Sequence, residues 1–207
     1  MPYQLKVVDL SNLPPADGIL SLREKEFYQT LRFPKRRTEW LGGRFALKSL
    51  VAEKNVLTDL SQIELLPQPS GKPLLWLNGK EDRLAFSITH SQGYAVAAIA
   101  CEKALLGIDL EKVEHRIEAW AKEFFHPSEL ISSEDVFLTS LWTQKEALVK
   151  LLGTGLSLNS FDVRCVRGKP SFSGSAKEVY AALGSPQITI KTEELIPGFM
   201  FSVAFAE

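Results

Sequence analysis

The chain has 207 residues, a formal net charge of −1 and 45% hydrophobic residues. That apolar content is sufficient for one large domain or two small ones with packed cores. The near-neutral charge gives no indication of a nucleic-acid partner. No run reaches the roughly 18 apolar residues of a membrane helix, and residues 1–5 lack the basic and apolar regions of a secretory signal. We therefore expect a soluble, cytoplasmic protein without a membrane partner.

The first hundred residues predict a mixture of strands and helices. Apolar residues recur at helical spacing over residues 20–28 and 38–54, which predicts two helices. The Asn78-Gly79 dipeptide is typical of a tight turn between strands. Short strands are predicted at three places, the last two on either side of that turn: residues 5–10, 74–77 and 84–88.

The middle of the chain predicts a hairpin and then a helix start. Residues 94–100 and 105–110 are predicted strands, joined as a hairpin by Glu102-Lys103. Residues 111–121 are charged and weakly patterned, which predicts a loop or a short helix. His126-Pro127-Ser128-Glu129 is typical of the start of a helix.

The strand over residues 105–110 carries acidic side chains on one face. Alternate residues of a strand share a face, so Leu106, Ile108 and Leu110 are predicted to face apolar packing. Asp109 and Glu111 then face the other way, with their side chains rooted about 7 Å apart. Two carboxylates at that spacing can converge on one ion.

A predicted helix over residues 142–150 brings a third acid. Trp142, Glu146 and Lys150 lie along one ridge at i, i+4 spacing. Taken alone, Glu146 and Lys150 are typical of an exposed helical ion pair, which contributes only about 0.3–0.5 kcal/mol. The other side of the helix carries the predicted buried stripe: Leu141, Ala147, Leu148, Leu151 and Leu152.

These three acids predict a site for a hard cation. Asp109, Glu111 and Glu146 offer only oxygen ligands, and no thiolate or imidazole cluster lies near them in sequence. Mg²⁺ is the expected ion, with Mn²⁺ left open. Sites of this kind handle phosphoryl or pyrophosphoryl groups, and Lys150 would neutralise phosphate charge.

The last third of the chain returns to short elements. Strands are predicted over residues 161–166 and 188–191, and a helix over residues 177–183. The two cysteines, Cys101 and Cys165, lie in apolar alternating contexts without a Cys-x-x-Cys pattern. We expect both to be buried free thiols.

Weak internal repeats predict two similar halves. Gly71-Lys72-Pro73 returns as Gly168-Lys169-Pro170, and the apolar strand that begins at Gly93 returns at Gly198. Trp40 with the basic residues that follow it returns as the motif that begins at Trp142. The order is preserved, so we predict an α+β fold with halves at residues 1–104 and 105–207. The active site is expected at their interface, because pockets often form at domain interfaces.

Five features in order, with a paired signature counted as one, resemble one family. Gly-Ile-Asp-Leu-Glu at residues 107–111, followed by Trp-Thr-x-Lys-Glu-Ala-x-x-Lys at residues 142–150, is similar to the paired signature of the 4′-phosphopantetheinyl transferases. Ser-Ile-Thr-His-Ser at 87–91, Gly-Lys-Pro at 71–73, Arg44 and Phe-Phe-His-Pro-Ser-Glu at 124–129 also resemble segments of that family. The repeat is similar to its larger, pseudo-twofold branch, which implies a monomer.

The resemblance implies a reaction and a role for each residue. The phosphopantetheine arm of coenzyme A would be transferred to a serine of an acyl or peptidyl carrier protein, releasing 3′,5′-adenosine bisphosphate. Mg²⁺ on Asp109, Glu111 and Glu146 would bridge the pyrophosphate, and Lys150 would contact a phosphate. The serine proton would pass to Glu146 or to a metal-bound water that Glu146 orients, and the sequence does not decide between them. The residues implied in binding coenzyme A are Arg44, Lys72, Pro73, Thr89 and His90.

Two other functions stay open from the residues. A metal-dependent phosphodiester or pyrophosphate hydrolase would use the same three acids with water in place of the serine. A non-catalytic module that binds coenzyme A or a carrier protein would keep the fold without needing the acids. The carrier, its pathway and the preference for free or acylated coenzyme A are not fixed by the sequence.

Overall fold

A computed structural model describes residues 2–68, 73–154 and 158–207 of the chain. Contacts between Cα atoms divide it into two units, Met1–Lys103 and Ala104–Glu207. Each unit contains a three-stranded antiparallel sheet against which one long helix packs. Helices and antiparallel sheets occur together in both units, so the predicted α+β class is confirmed. Among the described residues, no helix combines the length and the apolar character that crossing a membrane requires.

The first unit is built on a sheet with strand order β1-β6-β5 and a smaller sheet with order β2-β3-β4. Its long helix α2 begins at Pro34, where proline's missing N–H costs nothing because the first turn has no acceptor for it. The elements are β1 (Tyr3–Asp9), α1 (Leu22–Thr30), α2 (Pro34–Asn55), β2 (Ile63–Leu66), β3 (Leu74–Leu77), β4 (Lys80–Asp82), β5 (Ala85–Ser91) and β6 (Tyr94–Ala100).

Two glycines allow α2 to pack closely in the first unit. A Cβ atom at Gly42 would collide with Cδ2 of Leu10, and one at Gly43 would lie 2.8 Å from Cγ2 of Ile88. The space that a side chain would occupy is thus taken by neighbouring apolar groups. Burial of those groups stabilises the unit.

The second unit repeats the arrangement with strand order β10-β11-β7, and β8 pairs with β9. Its long helix α4 ends at Gly153, which has a φ of +73° in the left-handed region. The elements are β7 (Leu105–Lys112), α3 (Glu118–Phe124), α4 (Asp135–Leu152), β8 (Val163–Val166), β9 (Lys169–Phe172), α5 (Gly174–Ala182), β10 (Thr189–Ile196) and β11 (Phe199–Ala206).

Here the glycine that allows close packing lies on the strand. A Cβ at Gly107 of β7 would collide with the carbonyl oxygen of Ala147 and lie 2.5 Å from the backbone nitrogen of Leu151. The face of β7 that carries Gly107 is therefore covered by α4. The predicted buried stripe of α4 is confirmed, since all its members are at most 5% exposed: Leu141, Ala147, Leu148, Leu151 and Leu152.

The predicted hairpin of residues 94–100 and 105–110 is wrong. Both segments are strands, but β6 lies between β1 and β5, whereas β7 pairs with β11. Alternation of apolar residues identifies a strand without identifying its partner. The five residues Val96–Ala100 of β6 are all buried, as expected of a central strand.

The turn at Asn78-Gly79 forms, but its second strand was misplaced. Asn78 and Gly79 have φ of +51° and +76°, which suits a tight hairpin turn. The strand that pairs with β3 across it is β4, while residues 85–91 form β5 in the other sheet. A three-residue strand with exposed charges has too little apolar pattern to be recognised from sequence.

Two further predictions need correction. Residues 126–129 form a turn, and the next helix, α4, begins only at Asp135. The Glu129 side chain accepts a hydrogen bond from the backbone N–H of His126, as in a helix cap, but no helix follows. Both cysteines are free, as predicted, yet Cys101 is exposed and only Cys165 is buried. Cys101 lies just beyond the end of β6, where alternation no longer implies burial.

Candidate active site

Asp109 lies on the face of β7 that α4 covers. Alternate strand residues share a face, so Asp109 faces the same way as Gly107. Only 4% of Asp109 is exposed, and its Oδ1 accepts a hydrogen bond of 2.7 Å from Nζ of Lys150. The strand motif and the helix motif predicted from sequence are therefore in direct contact.

Glu146 lies on the same helix, one turn before Lys150, and it feels the charge of Asp109. Burial raises the pKa of the Glu146 carboxyl above its ordinary value, and Asp109 raises it further, while Lys150 acts in the opposite direction. Two carboxylates that repel each other in a partly buried place are stabilised by a cation. Lys150 provides part of that compensation.

Glu111 is the remaining member of the predicted acid set. It follows Asp109 by two residues on β7 and is partly buried. Asp109, Glu111 and Glu146 fit Mg²⁺ in the kind of donor they offer, because all are carboxylates. Within residues 2–68, 73–154 and 158–207, however, no three acidic, histidine or cysteine side chains stand close enough together to hold an ion.

Two charged residues of the second unit were missed as a pair by sequence reasoning. Lys145 and Glu129 are each 2% exposed. Nζ of Lys145 donates to Oε2 of Glu129 (3.1 Å) and to the carbonyl of Phe124 (2.9 Å). Burial lowers the pKa of Lys145, against the effect of Glu129. The available signal was that Lys145 lies on the apolar stripe, four residues after Leu141 and three before Leu148.

Trp142, on the same ridge of α4 as Glu146 and Lys150, packs against other aromatic side chains. Its ring lies 5.1 to 6.3 Å from three other aromatic rings, in edge-to-face contacts: Trp120, Phe124 and Phe125. Aromatic pairs at these distances add to the energy of burial. The cluster connects α3 and the turn after it to α4.

Arg44 of the first unit lies in a polar cluster. Its guanidinium stacks on the ring of Trp40, 3.2 Å from the centroid, and Nε lies 3.5 Å from Oε1 of Glu24. Nη2 donates to the carbonyl of Leu65 at 3.3 Å. Burial lowers the pKa of Arg44 below its ordinary value, while Glu24 acts to raise it. These contacts position the guanidinium.

His90 and Thr89 are neighbours on β5 and face opposite ways. The His90 side chain is 34% exposed, and its Nδ1 lies 3.8 Å from Oε1 of Glu39. Thr89 is only 4% exposed. Of the two, His90 is the side chain that a ligand could reach. A protonated His90 would form an ion pair with the Glu39 carboxylate.

Only part of the Gly-Lys-Pro segment at 71–73, which the resemblance implies in binding coenzyme A, lies among the described residues. Lys72 lies outside the described residues. Pro73 is partly buried and immediately precedes β3. Its contact with a nucleotide stays a prediction.

Comparison with known proteins agrees with these motifs. Residues 105–187 match the 4′-phosphopantetheinyl transferase superfamily. A holo-[acyl-carrier-protein] synthase of Geobacillus is 38% identical over 94 residues, which is 42% of this chain and 76% of that protein. The 4′-phosphopantetheinyl transferase HetI of Nostoc is 32% identical over 65% of this chain, an alignment that spans only 58% of HetI.

Longer but more distant similarity extends over most of the chain. The 4′-phosphopantetheinyl transferase Sfp of Bacillus subtilis is 28% identical over 92% of this chain and 89% of its own length. The crystal structure of holo-ACP-synthase from Plasmodium yoelii covers 49% of this chain and 91% of its own, with 22% identity and a TM-score of 0.40. On the sequence matches, above all the Geobacillus relative, this chain belongs to the 4′-phosphopantetheinyl transferase superfamily.

Proposed function

We propose that the chain transfers the 4′-phosphopantetheine arm of coenzyme A to a serine of an apo acyl or peptidyl carrier protein, in a reaction that depends on Mg²⁺. Membership of the superfamily supports the transferase activity. The observation that carries the proposal is the hydrogen bond of 2.7 Å between Lys150 and Asp109, which joins the helix motif to the strand motif.

The acids are proposed to hold the metal. Asp109, Glu111 and Glu146 would be its ligands, and a bound Mg²⁺ would neutralise charge on the pyrophosphate of coenzyme A. Lys150 would then leave Asp109 and donate to a phosphate oxygen, which a flexible lysine side chain permits.

The transfer step balances without any further reactant. The serine oxygen of the carrier forms a bond to the β-phosphorus of coenzyme A, and the bond from that phosphorus to the bridging oxygen breaks. The serine proton would pass to the Glu146 carboxylate, which is the proposed base. The leaving group is 3′,5′-adenosine bisphosphate.

The first unit is proposed to bind the nucleotide end of coenzyme A. His90 and Arg44 would bind the 3′-phosphate, because both offer cationic donors. Thr89, Lys72 and Pro73 stay predictions as further contacts. A cytoplasmic location, a monomeric state and a site to which both halves contribute are also retained as predictions.

Mass spectrometry of a candidate apo-carrier tests the proposal. Incubation with the chain, coenzyme A and Mg²⁺ should add one phosphopantetheine to the carrier serine, and chelation of the metal should prevent it. A parallel incubation without carrier should leave coenzyme A intact. Breakdown of coenzyme A in the absence of a carrier would instead show a hydrolase, and unchanged carriers with unchanged coenzyme A would favour a binding module.

A further inference from the structure

A row of polar side chains crosses the second unit's sheet beneath α4. Thr192 of β10 is directly opposite Ser202 of β11, which is directly opposite Asp109 of β7. Opposed residues on antiparallel strands point to the same face. Each member of the row contacts one side chain of α4: Gln144 on Thr192 (3.0 Å), Thr143 on Ser202 (2.8 Å) and Lys150 on Asp109 (2.7 Å).

Four of these side chains form one directional series of hydrogen bonds. The Thr143 hydroxyl lies 2.9 Å from the carbonyl of Ser140, which can only accept, so Thr143 donates there. It must then accept from Ser202, which in turn accepts from Thr192 at 2.8 Å. Thr192 accepts from the amide of Gln144. We call these four residues, Gln144, Thr192, Ser202 and Thr143, the hydroxyl chain.

The first unit contains an equivalent row, which can be located from its ion pair. Glu53 follows the buried Lys48 by five positions, as Lys150 follows the buried Lys145. Glu53 binds Lys6 of β1 at 2.8 Å, as Lys150 binds Asp109 of β7. Lys6 is therefore the counterpart of Asp109, and the row continues from it across β6 and β5.

The counterparts of the hydroxyl chain in the first unit are all apolar. Ala97 of β6 lies opposite both Lys6 of β1 and Ile88 of β5. On the helix, Leu47 and Ala46 precede Lys48 as Gln144 and Thr143 precede Lys145. In the order of the hydroxyl chain the counterparts are Leu47, Ile88, Ala97 and Ala46, which pack in one apolar cluster.

The fold therefore does not need a polar series at this place. A buried polar network adds little stability over well-packed apolar groups, and each member must be satisfied. Apolar contacts are non-directional, whereas hydrogen bonds fix distance and angle. The polar series occurs in the unit that carries the acids, on the same helix face as Lys150.

We infer that the hydroxyl chain fixes the position of α4 on its sheet and thereby positions Glu146 and Lys150 relative to Asp109. This inference rests on the proposed function. The four residues are positioning residues, since they act through α4 and not on the substrate. A displacement of about 1 Å at a reacting group can slow a reaction by about 10²-fold.

Steady-state transfer kinetics of four variants test the inference at a temperature where all are folded. Ser202→Ala and Thr143→Val should lower kcat at least about tenfold with a smaller change in KM for coenzyme A. Thr143→Ser keeps the hydroxyl and should retain kcat. The matched control is Thr139→Val, because Thr139 is a buried threonine one turn earlier on α4 and its hydroxyl has no hydrogen-bond partner among the described residues. Equal kcat for Ser202→Ala and Thr139→Val would overturn the inference.

Transplanting the first unit's residues gives a stricter test. The variant Gln144→Leu, Thr192→Ile, Ser202→Ala, Thr143→Ala should unfold cooperatively, as wild type does, and transfer at least about tenfold more slowly. Wild-type transfer by this variant would contradict a positioning role. If the variant does not fold, the single variants decide.

Failure of the proposed function can be told apart from failure of this inference. If wild type transfers nothing, the proposed function is wrong, and a stability cycle still tests positioning. Ser202→Ala and Lys150→Met should then shift the unfolding midpoint non-additively, because loss of the hydroxyl chain already weakens the contact of Lys150 with Asp109. Additive shifts would contradict the inference.

Discussion

In both units a buried lysine of the long helix binds a buried glutamate from a preceding segment. In the first, Glu24 accepts from Lys48 of α2 and from the backbone N–H groups of Ser21 and Leu65. The Lys48 ammonium also donates to the carbonyl of Ile19 at 2.7 Å. Each of these contacts has a counterpart in the other unit.

In the second unit, Glu129 accepts from Lys145 of α4 and from the backbone N–H groups of His126 and Cys165. Lys145 donates to the carbonyl of Phe124, which precedes Glu129 by five residues as Ile19 precedes Glu24. The same buried pair therefore joins helix, turn and strand in both units. Its presence in the unit without the acids indicates that it serves the fold.

The units differ where the helix meets the edge strand. The first has Lys6 with Glu53, 38% and 62% exposed at their side chains, and the second has Asp109 with Lys150, 6% and 29% exposed. The charges are reversed and the second pair is far more buried. By the same correspondence, the first unit has Lys6, Val8 and Ser49 at the positions of Asp109, Glu111 and Glu146. The first unit forms the same arrangement without acids at these three positions, which supports the proposal that the acids serve the chemistry and not the fold.

The largest expected loss of stability comes from breaking either buried pair, Lys48 with Glu24 or Lys145 with Glu129. Glu24→Gln and Glu129→Gln should each lower the free energy of unfolding by about 3–5 kcal/mol, because a buried lysine loses its counter-charge. Urea unfolding of both variants measures this loss. If Glu129→Gln kept wild-type stability but lost transfer, the parallel between the units would fail and Glu129 would belong to the catalytic groups.

A smaller effect is expected when both partners are replaced by apolar residues. Glu129→Leu with Lys145→Met, and Glu24→Leu with Lys48→Met, should recover part of the stability lost in the single variants, because no charge is left buried. The same unfolding measurement applies. A double variant less stable than its single variant would show that the pair's hydrogen bonds to the backbone dominate.

The smallest expected effect is a change in the rate at which the Cys165 thiol is labelled, which reports local opening of the second unit. Burial raises the pKa of the Cys165 thiol to about 11, so little reactive thiolate is present at pH 8. Labelling at that pH should be fast at the exposed Cys101 and slow at Cys165. Glu129→Gln removes the charge opposite Lys145 and leaves one oxygen in place of two to accept from Lys145 and from the N–H groups of His126 and Cys165, so labelling of Cys165 should be faster. An equal acceleration in Glu24→Gln would contradict the view that each pair acts within its own unit.

The faces on which the candidate site residues lie could be predicted, because these residues belong to short, regular segments. The alternation around Asp109 and the helical spacing of Glu146 and Lys150 fix their faces without any tertiary information. Pairing of β6 and β7 could not be predicted, because strand patterning does not encode the partner. The buried carboxylate and lysine pairs and the hydroxyl chain depend on contacts between distant segments. From the sequence alone, these polar residues are predicted to be exposed, because the groups that bind them come from distant segments of the chain.

Transfer by Asp109→Asn, followed by mass spectrometry of an apo-carrier with coenzyme A and Mg²⁺, tests the central claim most directly. The carboxamide keeps the shape of the side chain but not its charge, so the proposed metal and Lys150 would lose the negative charge opposite them. The account predicts a folded protein with transfer slowed by at least about 10²-fold. Transfer at the wild-type rate under the same conditions would contradict the assignment of the chemistry to the acids of the second unit.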